Sequence, residues 1–355
     1  MTTAAPTRDG GARCGAARPR ALKTPYRIAA LTLALALCAL ASFMVGRYPV
    51  APATALAILA SKIAPVHADW SLQLETIVMN VRLPRIVAAL EVGAALAASG
   101  AAYQSMFRNP MVSPDILGVS AGAGAGAALA ILLAFPPLGV PAMAFGFGLL
   151  AVGATCLIGW RSGGDTPLTM ILAGVIVGTV FAALIALMKL VADPDNTLPT
   201  IVFWLMGSLA SVHAADVYFA LAPIGVGLLG LVAMSWRLNV LAFGDEEAMT
   251  LGIDVGRLRL MVIACATLMT AVAVAIGGLI GLVGLVVPYL GRLVVGSDNR
   301  ALIPVCAVMG GCYLLLVDDI ARSLLSQEIP LGILTSLLGA PVFISLLSHT
   351  RKAWA

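Results

Sequence analysis

In this chain the residues able to do chemistry are the few charges and helix breakers set against long apolar stretches. Arg82-Leu-Pro-Arg85 precedes a Gly/Ala-rich apolar run that ends at Arg108-Asn-Pro-Met-Val-Ser-Pro-Asp-Ile-Leu-Gly118. Fixed cations at one end and an Arg-Asn-Pro turn at the other suggest a transport path more than a simple anchor. A second group is Asp245-Glu246-Glu247, lying between Gly244 and Gly252. The two glycines bracket a helix of one to two turns, and the dipole favours carboxylates in its first turn. So short a helix is marginal alone, so a partner or the rest of the chain must hold it. The third is Glu91, to which the mid-span ionisable residues largely reduce.

Other chemistries lack their residues. Cys14, Cys38, Cys156, Cys265, Cys306 and Cys312 are scattered, form no CxxC pair, and mostly lie in or beside apolar segments, as packing residues do. His67, His213 and His349 are equally dispersed, so no metal site is expected. No convergent catalytic set and no cofactor site can be found. The pattern GxxxxGK[ST] is absent, and no Gly-Lys pair occurs, so this chain is not itself a P-loop ATPase. Nothing points to nucleic acid.

The elements that position these groups are membrane helices. The chain is 61% hydrophobic and 11% charged over 355 residues, with a mean hydropathy of +1.02. Soluble domains carry roughly 25% charged residues. Apolar stretches lie near 28–46, 86–107, 116–134, 138–160, 168–191, 217–235, 258–285 and 301–325, with shorter ones at 286–296 and 331–347. A span takes about 20 residues, which predicts an all-α polytopic protein of about ten crossings. Residues 1–27 read as a disordered basic tail. Residues 28–350 read as one membrane domain with an inner loop at about 236–257. A cleaved signal peptide is the competing reading of the N-terminus. It is disfavoured because the run after Ile28 is long enough to span and lacks a clear cleavage site before Arg47.

Orientation follows from the cations. With the N-terminus inside, the tail charges join Arg108, Arg161, Arg237, Arg257, Arg259, Arg292, Arg300, Arg351 and Lys352 on the inner side. Only Arg47, Lys62, Arg82, Arg85, Lys189 and Arg322 fall outside. This obeys the positive-inside rule and puts both termini in the cytoplasm, so ten spans fit and nine do not.

Glycine patterns run through the spans, as in Gly118-Val-Ser-Ala-Gly-Ala-Gly-Ala-Gly126 and Gly277-Gly-Leu-Ile-Gly-Leu-Val-Gly284. Small residues let helices approach closely in lipid; they could also line a path wide enough for a bulky solute. The apolar run Leu258–Val295 is too long for one span. Gly277, Gly278 and Pro288 interrupt it, predicting a helix, a bend and a shorter helix. Broken helices at membrane depth are tolerated where they are buried in protein or line a cavity.

The order of motifs resembles the FecCD/BtuC-type permeases of bacterial ABC importers for iron-siderophore, haem and cobalamin. The matching residues are Arg82-Leu-Pro-Arg85, Gly93 to Gly100, Gln104, Arg108-Asn109-Pro110, Pro114 and Ile116-Leu-Gly118-Val-Ser120. They continue through Leu172-Ala-Gly174, Trp204-Leu-Met-Gly-Ser208, Leu241-Ala-Phe-Gly244, Leu251-Gly252-Ile253 and Gly281 to Pro288. Asp298, Arg300, Pro304, Asp319, Arg322, Glu328-Ile-Pro330, Gly332 and Gly339 to Phe343 complete a match over about 80–347.

The resemblance implies a homodimeric permease in the bacterial inner membrane, surrounded by lipid, with two cytoplasmic ABC ATPase subunits and a periplasmic substrate-binding protein. ATP binds only in the partner subunits. The cargo implied is a metal chelate, a ferric siderophore first and haem or cobalamin as alternatives. Docking of the binding protein falls to Arg82, Arg85 and Arg322, since Arg suits bidentate carboxylate pairing; alternatively they pair internally, Arg322 with Asp318 or Asp319. Coupling to the ATPase falls to Gly244, Asp245, Glu246, Glu247, Leu251 and Gly252. Gln104, Asn109, Pro110, Gly118, Ser120, Gly277, Gly278 and Pro288 are pathway or gating candidates. Tyr289 and Asn299 stand where many family members have histidine, which denies those positions a titrating role. The rival class, a secondary transporter driven by an ion gradient, would need buried ionisable residues for coupling, and Glu91 is nearly alone in that respect.

Overall fold

The computed structural model describes residues 24–46, 48, 50–62, 70–161, 167–325 and 327–351. Among these the only regular elements are helices: α1 Thr24–Ser42, α2 Pro52–Ser61, α3 Leu72–Thr76, α4 Leu83–Met106, α5 Val119–Leu132, α6 Gly139–Arg161 and α7 Pro167–Val191. They continue with α8 Thr197–Met206, α9 Ala214–Leu241, α10 Asp245–Thr250, α11 Val255–Gly277, α12 Val283–Val295, α13 Asn299–Ser323 and α14 Leu331–Arg351. Six of the helical segments are long and apolar enough to cross a membrane. With the shorter apolar α1, α5, α12 and α14 they make the expected architecture of about ten crossings.

Several boundaries differ from the sequence reading. The first helix starts at Thr24 and takes in Arg27, so the tail expected over 1–27 is helical at its end; residues 1–23 lie outside the described residues. The inner loop is shorter than 236–257, because α9 runs to Leu241 and α11 starts at Val255. Pro288 does not interrupt the helix that holds it: it sits inside α12, and only Gly277–Leu282 breaks the long run. Three short helices, α2, α3 and α8, were not expected at all.

The core is organised around α4. The Leu72–Met106 rod is 78% buried in its most apolar window, against 28% for Ala214–Leu241. It packs against α13, α11, α9 and α12. Its small residues make this possible: a Cβ at Gly93 would fall on the Gly310 carbonyl of α13, and one at Gly100 on the Gly284 carbonyl of α12. Lipid is as apolar as a leucine side chain, so close van der Waals approach drives helix association here. The glycine patterns therefore serve packing at these positions. The outer faces of α7 and α9 carry exposed Val175, Ile176, Leu187, Tyr218, Phe219 and Leu229.

The entry to α4 is a widened π turn over Ile77–Arg82. Pro84 lies in its first helical turn and lacks an N–H. That missing donor and the ring's clash with the carbonyl four residues back disfavour a tight α-ladder there. The wider turn sets the direction in which Arg82 leaves the helix.

Candidate functional site

Three places along the α4 rod combine polar groups, irregular backbone or exposed apolar side chains. The first is a rim at the N-terminal end of α4. Arg85 donates through Nε and Nη2 to Asp318 of α13 at 2.9–3.1 Å, and through Nη1 to Glu328 Oε1 at 3.0 Å. Arg82 donates to the carbonyls of Phe43 and Tyr48. Arg322 donates to Asp319 and to both oxygens of Ser42. Asp318 is fully buried, and Arg82, Arg85 and Arg322 are 4%, 7% and 6% exposed. The three predicted docking arginines thus come together, but their donors point into their own chain. Arg322 pairs with Asp319, as the internal alternative anticipated. The sequence could not show Asp318 and Glu328 as Arg85's partners, since they lie more than 230 positions away. A cavity of about 190 Å³ opens between Tyr48, Val81, the three arginines and Glu328.

The second place is the break between α11 and α12. Gly278 and Leu282 both have positive φ, 68° and 64°. The segment lies alongside the middle of α4: a Cβ at Gly277 would touch Val92, and Gly284 packs on Leu96 and Gly100. Two other chain reversals meet it there. Ser208 N–H donates to the Gly277 carbonyl at 2.9 Å, and Leu331 N–H donates to the Gly207 carbonyl at 2.9 Å. The ends of α8, α11 and α14 are therefore tied together through backbone. In hydrocarbon each unsatisfied backbone group costs several kcal/mol, so such a junction belongs in protein or beside water. Exposed Thr200, Ser211 and Ser336 around it fit the same surroundings. Three cavities border the junction: one of about 500 Å³ against Phe203, Trp204 and Ser208, one of about 410 Å³ that shares Trp204 and Ile276 with it and adds His213 and Asp216, and one of about 440 Å³ against Leu279, Gly332 and Ser336. Asp216, with His213 beside it, is the one carboxylate among the residues lining them.

Of the predicted pathway residues, Gly277 and Gly278 belong to this junction; the others lie elsewhere. Gln104 is 2% exposed. Its Oε1 accepts from Arg292 at 2.6 Å and its Nε2 donates to Gly284 and Leu285 at 3.4–3.5 Å, pinning α12 to α4. Asn109 Oδ1 accepts from Met111 N–H, closing the turn that contains Pro110. Gly118 caps the short Pro114–Leu117 helix with φ 83°, and Ser120 donates to Asp115. Pro288 is buried within α12. Trp204, Ser208 and Gly332 stood in the motif pattern without a role. Their link to Gly277 is a tertiary one, and α8, which carries Trp204, hides in the sequence as one more apolar run.

The third place is the opposite end of the rod. There α10 starts at Asp245 after Gly244, whose φ of 137° suits only glycine. The first turn carries Asp245, Glu246 and Glu247, and Gly252 closes the segment with φ 78°. Asp245 is paired with Arg259 at 2.7 Å and with Arg108 at 3.5 Å. Phe243, Met249 and Leu251 point away from the bundle with 79%, 56% and 64% exposure. Three large apolar side chains around a six-residue acidic helix form a ready contact surface. Nearby, Asn299 is buried at the start of α13; its Oδ1 accepts from Ser105 and its N–H donates to Asn239. An amide therefore fills the position where a histidine was absent. Asp298, which caps α13, is held below the usual carboxylate range by the Arg300 N–H and then by the Asn239 amide.

Comparison with known proteins returns one consistent answer. The model of the FecCD transport family matches residues 34–349. The molybdate import system permease protein MolB of Haemophilus influenzae is 40% identical over 330 residues, 92% of this chain and 97% of that one. The cobalamin import system permease protein BtuC of Halobacterium salinarum is 43% identical over 274 residues, 77% and 73% of the two chains. Further relatives are named for iron chelatin and hemin transport. A solved inward-facing structure, described as a metal-chelate type ABC transporter, superposes with a TM-score of 0.82 at 38% identity, covering 92% of this chain and 99% of that one.

Proposed function

The chain belongs to the FecCD transport family, and on that premise we propose that it is the membrane-spanning subunit that carries a metal chelate inward for a binding protein, using ATP hydrolysed by separate subunits. The observation that carries this reading is the alignment of three sites along α4: a polar rim, a backbone junction at mid-span and an exposed acidic and apolar helix at the far end. Taking the membrane as a bacterial inner membrane, we assign the α10 end to its cytoplasmic side on the positive-inside bias, where ATPase subunits would meet Phe243, Met249 and Leu251. The rim then faces the periplasm and receives the binding protein. Because Arg82, Arg85 and Arg322 are engaged within the chain, we assign them the bracing of that rim, with any pairing to partner carboxylates requiring exchange of the present bonds. The exposed apolar helix faces are where lipid or a second copy would pack, as a homodimer needs.

A ferric siderophore is the first cargo. No Lys or Arg lines the cavities at the junction, which suits a bulky shielded chelate better than a bare anion, held most strongly by charge-assisted hydrogen bonds. Molybdate is the second reading, favoured by the near full-length match to a molybdate permease; haem and cobalamin follow. Uptake of radiolabelled ferric siderophores, molybdate, haemin and cyanocobalamin, compared between a deletion strain and the complemented strain, decides among them. Gene-dependent uptake of a siderophore supports the first reading, and gene-dependent uptake of molybdate alone overturns it.

A further inference from the structure

The helix α10 has six residues, and isolated helices need about 12–15 residues to persist in water. Something in the bundle must hold it. Ala248 is fully buried against the bundle, while the Ile253 N–H, donating to the Ala248 carbonyl at 3.0 Å, closes the helix's own C-terminal turn. Among the described residues, two ion pairs on Asp245 add to that packing. Arg259 of α11, its side chain 5% exposed, donates from Nη2 to Oδ2 at 2.7 Å. Arg108, just beyond the last turn of α4, donates from Nη2 to Oδ1 at 3.5 Å. Arg108 holds a φ of 51°, a backbone conformation that L residues keep only where their surroundings impose it. One carboxylate is thus shared by cations from two different spans.

Those two spans form one body. Ser99 of α4 donates to the Ala266 carbonyl of α11 at 3.2 Å, and Tyr103 bonds Thr267 at 3.1 Å. One member of the pair ends at the Gly277–Leu282 break, and the other begins at the rim. A displacement applied to the exposed face of α10 therefore reaches α4 and α11 together through Asp245, and through them both other sites.

We propose that Arg259, assisted by Arg108, is a positioning residue for energy coupling: it clamps α10 through Asp245 so that motion of a partner ATPase is passed to the α4–α11 pair. This rests on the permease reading. The buried, short Arg259 bond carries most of the clamp, and Arg108, at 3.5 Å with 41% of its side chain exposed, carries less.

The test uses the full complex of this chain, its ATPase subunits and its binding protein in phosphatidylethanolamine/phosphatidylglycerol nanodiscs. ATP turnover is measured with and without saturating binding protein, and ATPase-subunit affinity is measured separately. Arg259→Met should lower the ratio of stimulated to unstimulated turnover by about five-fold, the factor for roughly 1 kcal/mol of lost coupling. Arg259→Lys should restore more than half, and Arg259→Asp combined with Asp245→Arg should exceed either single change. Arg108→Met, compatible with folding because its side chain is half in solvent, should lower the ratio about two-fold, in line with an exposed pair. A wild-type ratio in Arg259→Met overturns the clamp; if that variant does not assemble, a wild-type ratio in Arg108→Met together with no advantage of Lys over Asp at position 259 overturns it. Absence of any ATPase assembly with the unaltered chain would instead refute the permease reading.

Discussion

Removing the Asp318 carboxylate should damage this protein far more than removing Glu328, although both pair with the same arginine. Asp318 is fully buried, accepts from two nitrogens of Arg85 and lies 3.8 Å from Arg322 Nε. Asp318→Leu leaves the Arg85 guanidinium, its side chain 9% exposed, with Glu328 as its one carboxylate partner among the described residues. Breaking a buried pair from one side costs about 3–5 kcal/mol. Glu328 lies at the edge with 28% of its side chain exposed, so Glu328→Gln should cost about 1 kcal/mol at most. The expected gap is about 2–4 kcal/mol. Removing both charges, with Arg85→Met added to Asp318→Leu, should recover part of the loss, because a well-packed apolar pair is often neutral against a buried ion pair. Reversible unfolding in mixed micelles with increasing dodecyl sulfate measures all three. Equal losses for Asp318→Leu and Glu328→Gln, or a double variant worse than Asp318→Leu alone, would refute this account of the rim. The same geometry makes Arg85→Glu a poor docking test: it sets a third carboxylate beside Asp318 and Glu328, and the protein should fail to accumulate.

Further outcomes follow from other sites. Gly100→Leu and Gly284→Leu each force a side chain onto facing backbone, and each should abolish a monodisperse peak in detergent size exclusion, whereas Gly153→Leu, with open space around it, should leave it unchanged. Gly252→Val meets nothing within 4 Å but must adopt φ 78°; a cost of about 1–2 kcal/mol for that conformation should disorder the end of α10 and lower binding-protein-stimulated ATPase without changing expression. If ATP supplies the energy as proposed, substrate uptake should persist in Glu91→Gln, and its loss in an assembled complex would favour proton coupling. The lowered titration of Asp298 makes its cap stabilising above the unfolded carboxylate range and lost as pH falls through its folded value. The stability gap between the wild type and Asp298→Ala, about 1 kcal/mol at neutral pH, should therefore close on acidification below about pH 4; a constant gap would exclude the charge as its source.

Membrane class, span number and the helix between Gly244 and Gly252 were legible in the sequence, because each depends on local runs of residue type. The apolar stretches near 138–160 and 301–325 appear as the helices Gly139–Arg161 and Asn299–Ser323, their ends shifted by one or two residues. What depends on tertiary pairing was not legible. Arg82, Arg85 and Arg322 showed their charge and their side of the membrane, but nothing local tells whether a guanidinium faces a partner or turns back to Phe43 and Asp318. Gln104 and Pro288 stand in motif positions, and the first is a buried tie between α4 and α12, the second a buried residue inside α12. The short α8 could not be separated from neighbouring apolar sequence, and with it the junction of Trp204, Gly207, Gly278 and Gly332 stayed hidden.

On the proposed function, ATP hydrolysed by partner subunits, its energy delivered through α10, drives inward transport through this chain. The most direct test is release of substrate from proteoliposomes holding the complex, with loaded binding protein inside a lumen equivalent to the periplasm and ATP supplied outside, on the α10 side. Transport should run toward the ATP side, stop without ATP and ignore collapse of the proton and sodium gradients. Transport that continues without ATP and stops when those gradients collapse would contradict it.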